Sequence, residues 1–259
     1  MKEIKTGKVL LIPDIHQNLA FADAALKEDF DHVVFMGDYF DCFERIDNQE
    51  YFSVRYVCDW INTKYKELGD KATWLVGNHD IAYLGTFRPK TYEIHRPQGF
   101  CLCSGWTKNK ASTFNQYINP EWVNSLNLAV RAHDYVVSHA GFHYSQFQNA
   151  LASVQANIDI LIDEFEQNRF GFRDQAFHWI TDCGPSRGGM ADAGSPVWLD
   201  WDTEFVPIER LRQIVGHTNG SDVRFRGENI CLDAYRTTYA VLDENDIQFK
   251  KWKEQITSS

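Results

Sequence analysis

Five short clusters in the sequence carry side chains that bind divalent cations. They are Asp14-Ile15-His16, Gly37-Asp38-Tyr39-Phe40-Asp41, Gly77-Asn78-His79-Asp80, Ser138-His139-Ala140-Gly141 and Gly216-His217-Thr218-Asn219. Carboxylate, amide oxygen and imidazole together suit borderline-hard ions such as Mn, Fe or Zn. Cys42, next to Asp41, is the one cysteine beside a cluster, so a thiolate structural zinc site is not indicated. Any one cluster alone reads as a helix cap or a polar loop after a strand. Five in one chain do not.

Each cluster ends an apolar run. Lys8–Pro13, His32–Met36, Thr73–Val76, Tyr135–Ser138 and Arg212–Val215 read as buried strands, and Leu128–Arg131 as a further one. Leu19–Lys27, Tyr51–Leu68 and Leu151–Phe165 carry apolar residues at helical intervals, with Gly69-Asp70 stopping the second. The order β-α-β-α-β predicts an open, largely parallel sheet with helices on its faces. Ligands in such folds bind beyond the carboxyl ends of the strands, which sends all five clusters to one rim. The stretch Ile81–Asn127 reads as aromatic and irregular, Asp182–Pro196 as a Gly-rich loop, and Val223–Trp252 as an antiparallel finish. No repeat or composition shift marks a linker, so residues 1–259 are expected to form a single domain.

The net charge of −10 disfavours a surface for duplex nucleic acid. It is compatible with a phosphorylated substrate, because bound cations reverse the local field. The sequence has no apolar run of membrane-helix length, and its first residues lack the apolar stretch of a signal peptide. Six scattered cysteines are not a disulfide scaffold, which points to reduced thiols and a cytoplasmic location. Cys101 and Cys103 are too close for a CxxC motif. The oligomeric state is left open.

The ordered set DxH, GDxxD, GNHD, a lone His and GH resembles the calcineurin-like metallophosphoesterase superfamily. The matching residues are Asp14 and His16, Asp38 and Asp41, Asn78, His79 and Asp80, His139, and His217. The resemblance implies a four-layer α/β/β/α sandwich of two mixed sheets flanked by helices, with insertions at about 81–127 and 142–211. It implies two divalent metal ions, Mn2+ first, with Fe or Zn as alternatives. Asp14 and His16 would hold one ion, Asp38 would bridge both, and Asn78, His139 and His217 would hold the second. Many members end in GHxH, but Asn219 stands at the second His position. Serine/threonine phosphoprotein phosphatases also lack that His, so their branch is the closer comparison. Their motif continues GDxxDRG, whereas Cys42 occupies the place of the Arg. The run Ser195–Asp200 looks like the Pro-x-Trp segment of bacterial phosphatase and dinucleoside-polyphosphate hydrolase relatives.

The implied reaction is hydrolysis of phosphate monoesters by a metal-bridging hydroxide. His79 would be general acid, and Asp41 would orient it. Arg187 is the first candidate for gripping phosphate, with Arg173, Arg236 and Arg45 behind it, and Asn78 is the second substrate-facing residue. Partners would be a phosphorylated small molecule, a nucleotide or a phosphoprotein. Hydrolysis of a nucleotide or dinucleoside polyphosphate (a phosphodiesterase-type activity) stays open as an alternative, as does a non-catalytic metal-binding scaffold. Intact His79 and Asp41 speak against the scaffold. With Asn at 219, the first ion is expected to be the more solvated and the easier to lose. His32, His95, His133, His143 and His178 read as structural or solvated. Trp106, Trp179, Trp198 and Trp201 read as core, with Trp198 and Trp201 as alternative pocket walls.

Overall fold

The computed structural model describes residues 1–42, 54–90, 103–168 and 179–252. Strand β2 (Val9–Ile12) is buried along its whole length. Val9 and Leu11 join one apolar layer, and Leu10 and Ile12 another. The period of two in a strand sends alternate side chains to opposite faces, so a strand apolar on both faces must be covered on both. β3 (His32–Phe35) repeats the pattern, with Val34 on one side and Val33 and Phe35 on the other.

The cover on one side is a second sheet. The first sheet runs in the order β11 (Ile247–Lys251), β10 (Thr238–Leu242), β2, β3, β4 (Ala72–Trp74). Its β2–β3–β4 core is parallel and its β10–β11 hairpin is antiparallel. The second runs β1 (Lys2–Ile4), β5 (Ala129–Ala132), β6 (Tyr135–Ser138), β7 (Arg212–Val215), β9 (Asn229–Cys231), β8 (Arg224–Arg226). Here β6, β7 and β9 are parallel, while β5 and β8 pair antiparallel to their inner neighbours. Val9, Leu11 and Val34 from the first sheet share a layer with Val130, Val137, Ile214 and Ile230 from the second.

The open, largely parallel sheet expected from strand order is corrected to the two mixed sheets flanked by helices that the family resemblance implied. The β-α-β-α-β order accounts for β2, β3 and β4 only. The strands between residues 129 and 231 build their own sheet, and the two close on each other through their apolar faces. The antiparallel finish is also divided: β8–β9 joins the second sheet and β10–β11 the first.

Helices cover the outer faces. α1 (Leu19–Ala25) is capped by Asn18, whose Oδ1 accepts from the Phe21 N–H at 3.1 Å. α2 (Val54–Leu68) buries Val54, Val57, Cys58 and Ile61, one face at helical spacing. Its Trp60 meets Phe35, which stacks on Trp74 with centroids 4.1 Å apart. α6 (Val154–Asn168) buries Ile158, Leu161, Ile162 and Phe165 in the cluster that takes Val136 of β6. The stretch expected to be irregular holds α3 (Asn78–Leu84), α4 (Lys108–Tyr117) and α5 (Pro120–Ser125). The start signals were in the sequence: Thr107 caps α4, and Asn119-Pro120 opens α5. No helix among the described residues is long and apolar enough to cross a membrane.

Candidate metal centre and its cleft

Asp14 lies two residues beyond β2, Asp38 three beyond β3, Asn78 at the first position of α3 after β4, His139 directly after β6 and His217 two residues after β7. The carboxyl ends of both sheets meet at this place. Asn78 Oδ1 is 3.0 Å from His139 Nε2 and 3.0 Å from His217 Nδ1, and the two nitrogens are 3.2 Å apart. Asp38 Oδ2 lies 3.5 Å from His139 Nε2 and, on its other side, 3.4 Å from His16 Nε2. Among the described residues two groups that could hold a metal ion result, His16–Asp38–His79 and Asp38–His139–His217, and Asp38 belongs to both. Asp14 stands in neither group. Its two oxygens accept the His217 N–H at 2.9 and 3.0 Å, and Oδ1 is 4.0 Å from His139 Nδ1.

The imidazole tautomers fit a cation. His139 Nδ1 faces the Met36 carbonyl at 2.9 Å, and His16 Nδ1 faces the Asp41 carbonyl at 2.9 Å. A carbonyl only accepts, so both Nδ1 atoms carry the proton and both Nε2 atoms turn a lone pair toward Asp38. Lone pairs on two imidazoles, an amide oxygen and a carboxylate thus point at each other. His217 Nε2 is buried with no hydrogen-bond partner among the described residues, so its Nδ1 is the atom aimed at the group. Divalent cations fit this donor set.

Charge distribution agrees. Burial pushes the His16 imidazole down to about 4 and lowers His139 and His217 as well, which keeps them neutral as ligands must be. Asp14 is pushed well up by burial and by the neighbouring carboxylates of Asp233 and Asp38. That is an electrostatic cost a cation would relieve.

His79 is set apart from the other imidazoles by Asp41, whose Oδ2 lies 3.1 Å from its Nδ1. Burial lowers its proton affinity, but Asp38 and Asp41 more than compensate, and the net shift is upward. A ring with raised proton affinity is suited to donate to a substrate oxygen. Sequence reasoning missed the two residues that hold Asp41. Tyr83 donates to its Oδ1 at 2.8 Å and Lys110 Nζ at 2.9 Å. Tyr83 follows His79 by four residues on α3 and could have been found by helical spacing. Asp80 is buried beside the centre. Its carboxylate accepts the N–H groups of Gly77 and Asp38 at 2.8 Å and of Tyr39 at 3.1 Å, tying the β3 and β4 loops together.

The loops are under backbone strain where they carry the site. His16, Asp38, Asp41 and His217 all have left-handed φ, at 42°, 54°, 65° and 66°, a conformation costing about 1–3 kcal/mol for such residues. Gly37 and Gly77 make the close approach possible: a Cβ on Gly37, whose φ is +98°, would stand 2.6 Å from the Gly77 nitrogen.

The centre opens into a cleft of about 270 Å³. Arg187 lines it, with Nη2 3.1 Å from Asp200 and 3.3 Å from Thr218 Oγ1. Arg236 lines it too and is 8% exposed. Arg45, Arg173, His95 and His178 lie outside the described residues. Trp198 is a wall of the cleft, while Trp201 packs on Phe205 in the core. Asn219 sits exposed at the rim. Cys103, Ser104, Asp233 and Tyr235 also line the cleft and went unnoticed as site residues in the sequence. Cys103 Sγ lies 3.4 Å from Asn78 Nδ2 and donates to the Asn78 carbonyl at 3.0 Å, which fixes the amide with Oδ1 toward the imidazoles. Asp233 comes from the loop after β9.

Residues 7–218 match the model of the calcineurin-like phosphoesterase family. No curated protein sequence matches the chain. Among solved structures, a cold-active protein-tyrosine phosphatase of a psychrophilic Shewanella species is similar at 15% identity and a TM-score of 0.57, over 97% of this chain and 82% of that one. A protein serine/threonine phosphatase from Saccharomyces cerevisiae is similar at 13% identity and a TM-score of 0.52, over 98% of this chain and 84% of that one. At these identities the likeness is one of fold.

Proposed function

Because the chain belongs to the calcineurin-like phosphoesterase family, we propose that it is a metal-dependent phosphatase acting on phosphate monoesters, with two divalent cations, Mn2+ by preference. The carrying observation is Asp38, whose carboxylate stands in both potential metal groups at once. Asp14 and His16 would hold one cation with Asp38, and Asn78, His139 and His217 would hold the other. When bound, such a pair lowers the pKa of water and neutralises phosphoryl oxygens.

The chain's own residues would do the rest. His79, whose proton affinity Asp38 and Asp41 raise, would give its proton to the leaving oxygen. Arg187 and Arg236 would hold phosphate oxygens at the cleft wall. Asp200 and Thr218 fix the Arg187 fork in the cleft, which limits the rotamer freedom lost on binding. The Asn78 amide keeps one N–H toward Cys103, and the second would face substrate. The similar Shewanella and yeast proteins are a protein-tyrosine phosphatase and a protein serine/threonine phosphatase, and a cleft of this size takes a phosphorylated side chain or a small phosphate ester alike. Reduced cysteines at ordinary density support a cytoplasmic setting.

The test is turnover of Mn-reconstituted protein on p-nitrophenyl phosphate, its bis-ester, phosphopeptides and dinucleoside polyphosphates. The expected result is hydrolysis of the monoesters. Turnover confined to the bis-ester or the polyphosphates would overturn the monoesterase reading, and inactivity on all four with Mn bound would leave a metal-binding scaffold.

A further inference from the structure

A second carboxylate lines the cleft beside Asp38, from a part of the chain that no family motif covers. Asp233 follows β9, is 4% exposed, and lines the same cleft as His16 and Asp38. Its Oδ1 is buried with no hydrogen-bond partner among the described residues. The turn that carries it is fastened to the segment after His217, since the Gly220 N–H donates to the Asp233 carbonyl at 3.1 Å. Tyr235 and Arg236 in the same turn have left-handed φ, at 51° and 57°, so the chain is bent to bring this loop against the centre.

Asp38 and Asp233 are both buried and line the same cleft, and a buried carboxylate oxygen without a donor is costly unless a cation meets it.

We infer that Asp233 is the further ligand of the first cation, completing the Asp14–His16–Asp38 shell. This rests on the two-cation reading above. It fills the position that Asn219 leaves weak: Asn219 is exposed at the rim, whereas Asp233 arrives buried, charged and with an unpartnered oxygen. It also revises the unequal pair expected from the sequence, because the first cation gains a second terminal carboxylate. The competing role for Asp233 is to steer Arg236 toward phosphate, which would leave the cations untouched.

The experiment is metal binding. Metal-free wild type, Asp233→Asn and Arg236→Lys are titrated with Mn2+ by calorimetry. Retained Mn is counted after desalting, and the spin-coupled signal of an Mn pair is followed by electron paramagnetic resonance. Wild type and Arg236→Lys are expected to retain two Mn per chain with the coupled signal. Asp233→Asn is expected to retain one, with affinity for the second weakened at least tenfold and the coupled signal lost. Two Mn bound to Asp233→Asn at unchanged affinity would overturn the inference, whatever happens to KM. So would a wild type that retains only one. If Asp233→Asn does not fold by circular dichroism, Asp233→Ser gives the same readout. Wild type that binds two Mn but hydrolyses no phosphate ester sinks the phosphatase reading and leaves the Asp233 assignment standing.

Discussion

Lys110 Nζ lies 2.9 Å from Asp41 Oδ1, although 69 residues of chain separate them. The Gly105 carbonyl takes the same ammonium at 2.7 Å, and Thr107 caps the helix that carries it. Burial works to raise Asp41, but its hydrogen bonds with His79 and Lys110 outweigh that and lower it. The carboxylate that orients His79 is thus held in place and in charge by a residue outside every family motif. Lys110→Met is expected to lower kcat about tenfold, which is about 1.4 kcal/mol of transition-state stabilisation, with KM little changed. Lys110→Arg should recover part of it. Loss of one charged hydrogen bond should also cost about 1–2 kcal/mol of stability. Steady-state kinetics and a thermal melt check both, and an unchanged kcat in Lys110→Met removes Lys110 from the catalytic arrangement.

His79→Asn is expected to keep both cations and lose about 10²–10⁴-fold in kcat on alkyl phosphates, the usual worth of general acid help. On p-nitrophenyl phosphate the loss should be much smaller, because that leaving group needs little protonation. The comparison of two substrates is the decisive measurement. An equal loss on both, together with loss of a metal ion, would make His79 a ligand, as its place in the His16–Asp38–His79 group allows.

Which parts of this could be read from residues alone follows from how local each one is. Asp14, Asp38, Asn78, His139 and His217 each close an apolar run, so strand periodicity exposes them and puts them at strand ends. The parallel β2–β3–β4 core was legible for the same reason. The division into two sheets came from the family resemblance and not from the residue pattern, because β8–β9 and β10–β11 are both short hairpins, and their choice of sheet is settled by packing between distant segments. Lys110 sits on a mainly polar helix, where a lysine reads as solvated. Asp233 follows an apolar strand as the motif residues do, but it belongs to no motif. Only the meeting of the β7 and β9 loops gives it a place in the centre.

The approach of the β3 and β4 loops makes Gly37 a sensitive glycine near the site. A Cβ there meets the Gly77 backbone at 2.6 Å in a φ of +98°. Backbone cannot rotate away as a side chain tip can. Gly37→Ala is expected to destabilise the protein by more than about 3 kcal/mol, in the range of a strained and clashing position. Gly227→Ala, at φ +59° with nothing within 4 Å, should cost only about 1–2 kcal/mol for the left-handed backbone. Chemical denaturation of both variants checks the ranking, and equal losses would contradict it.

His32 predicts a pH dependence away from the centre. Its Nε2 lies 2.8 Å from Thr73 Oγ1, and burial, helped by Lys2, brings its pKa down to about 4. The unfolded chain takes up that proton near pH 6.5. Between about 6.5 and 4 the unfolded state therefore binds more protons than the folded one, and stability falls as pH drops through that window. The ring is only partly buried, so the effect should be about 1 kcal/mol after solvent screening. Denaturation of wild type and His32→Gln at pH 7 and pH 5 isolates it. The wild type should lose that much more stability than the variant, and parallel losses would place the histidine's titration outside the folding equilibrium.

Cation binding should be visible in stability before any substrate is added. Without cations, the carboxylates of Asp14 and Asp38 and the Nε2 lone pairs of His16 and His139 face one another in a buried place, a repulsion the fold must carry. A ligand that binds only the folded state stabilises it by about 2.7 kcal/mol at one hundred times its Kd. For a chain of this length that is about 5–11 °C in melting temperature. Mn2+ added to chelator-treated protein should give a rise of this size. Ca2+ should give less, because imidazole and amide ligands suit it poorly. Asp38→Asn should abolish most of the shift, since it weakens both groups at once, while Asp14→Asn should remove only part. Differential scanning fluorimetry across the ions and variants reads all of this. A wild type whose melting point ignores Mn2+ would mean that the convergent lone pairs of Asp38, Asn78, His139 and His217 are reconciled by something other than a cation.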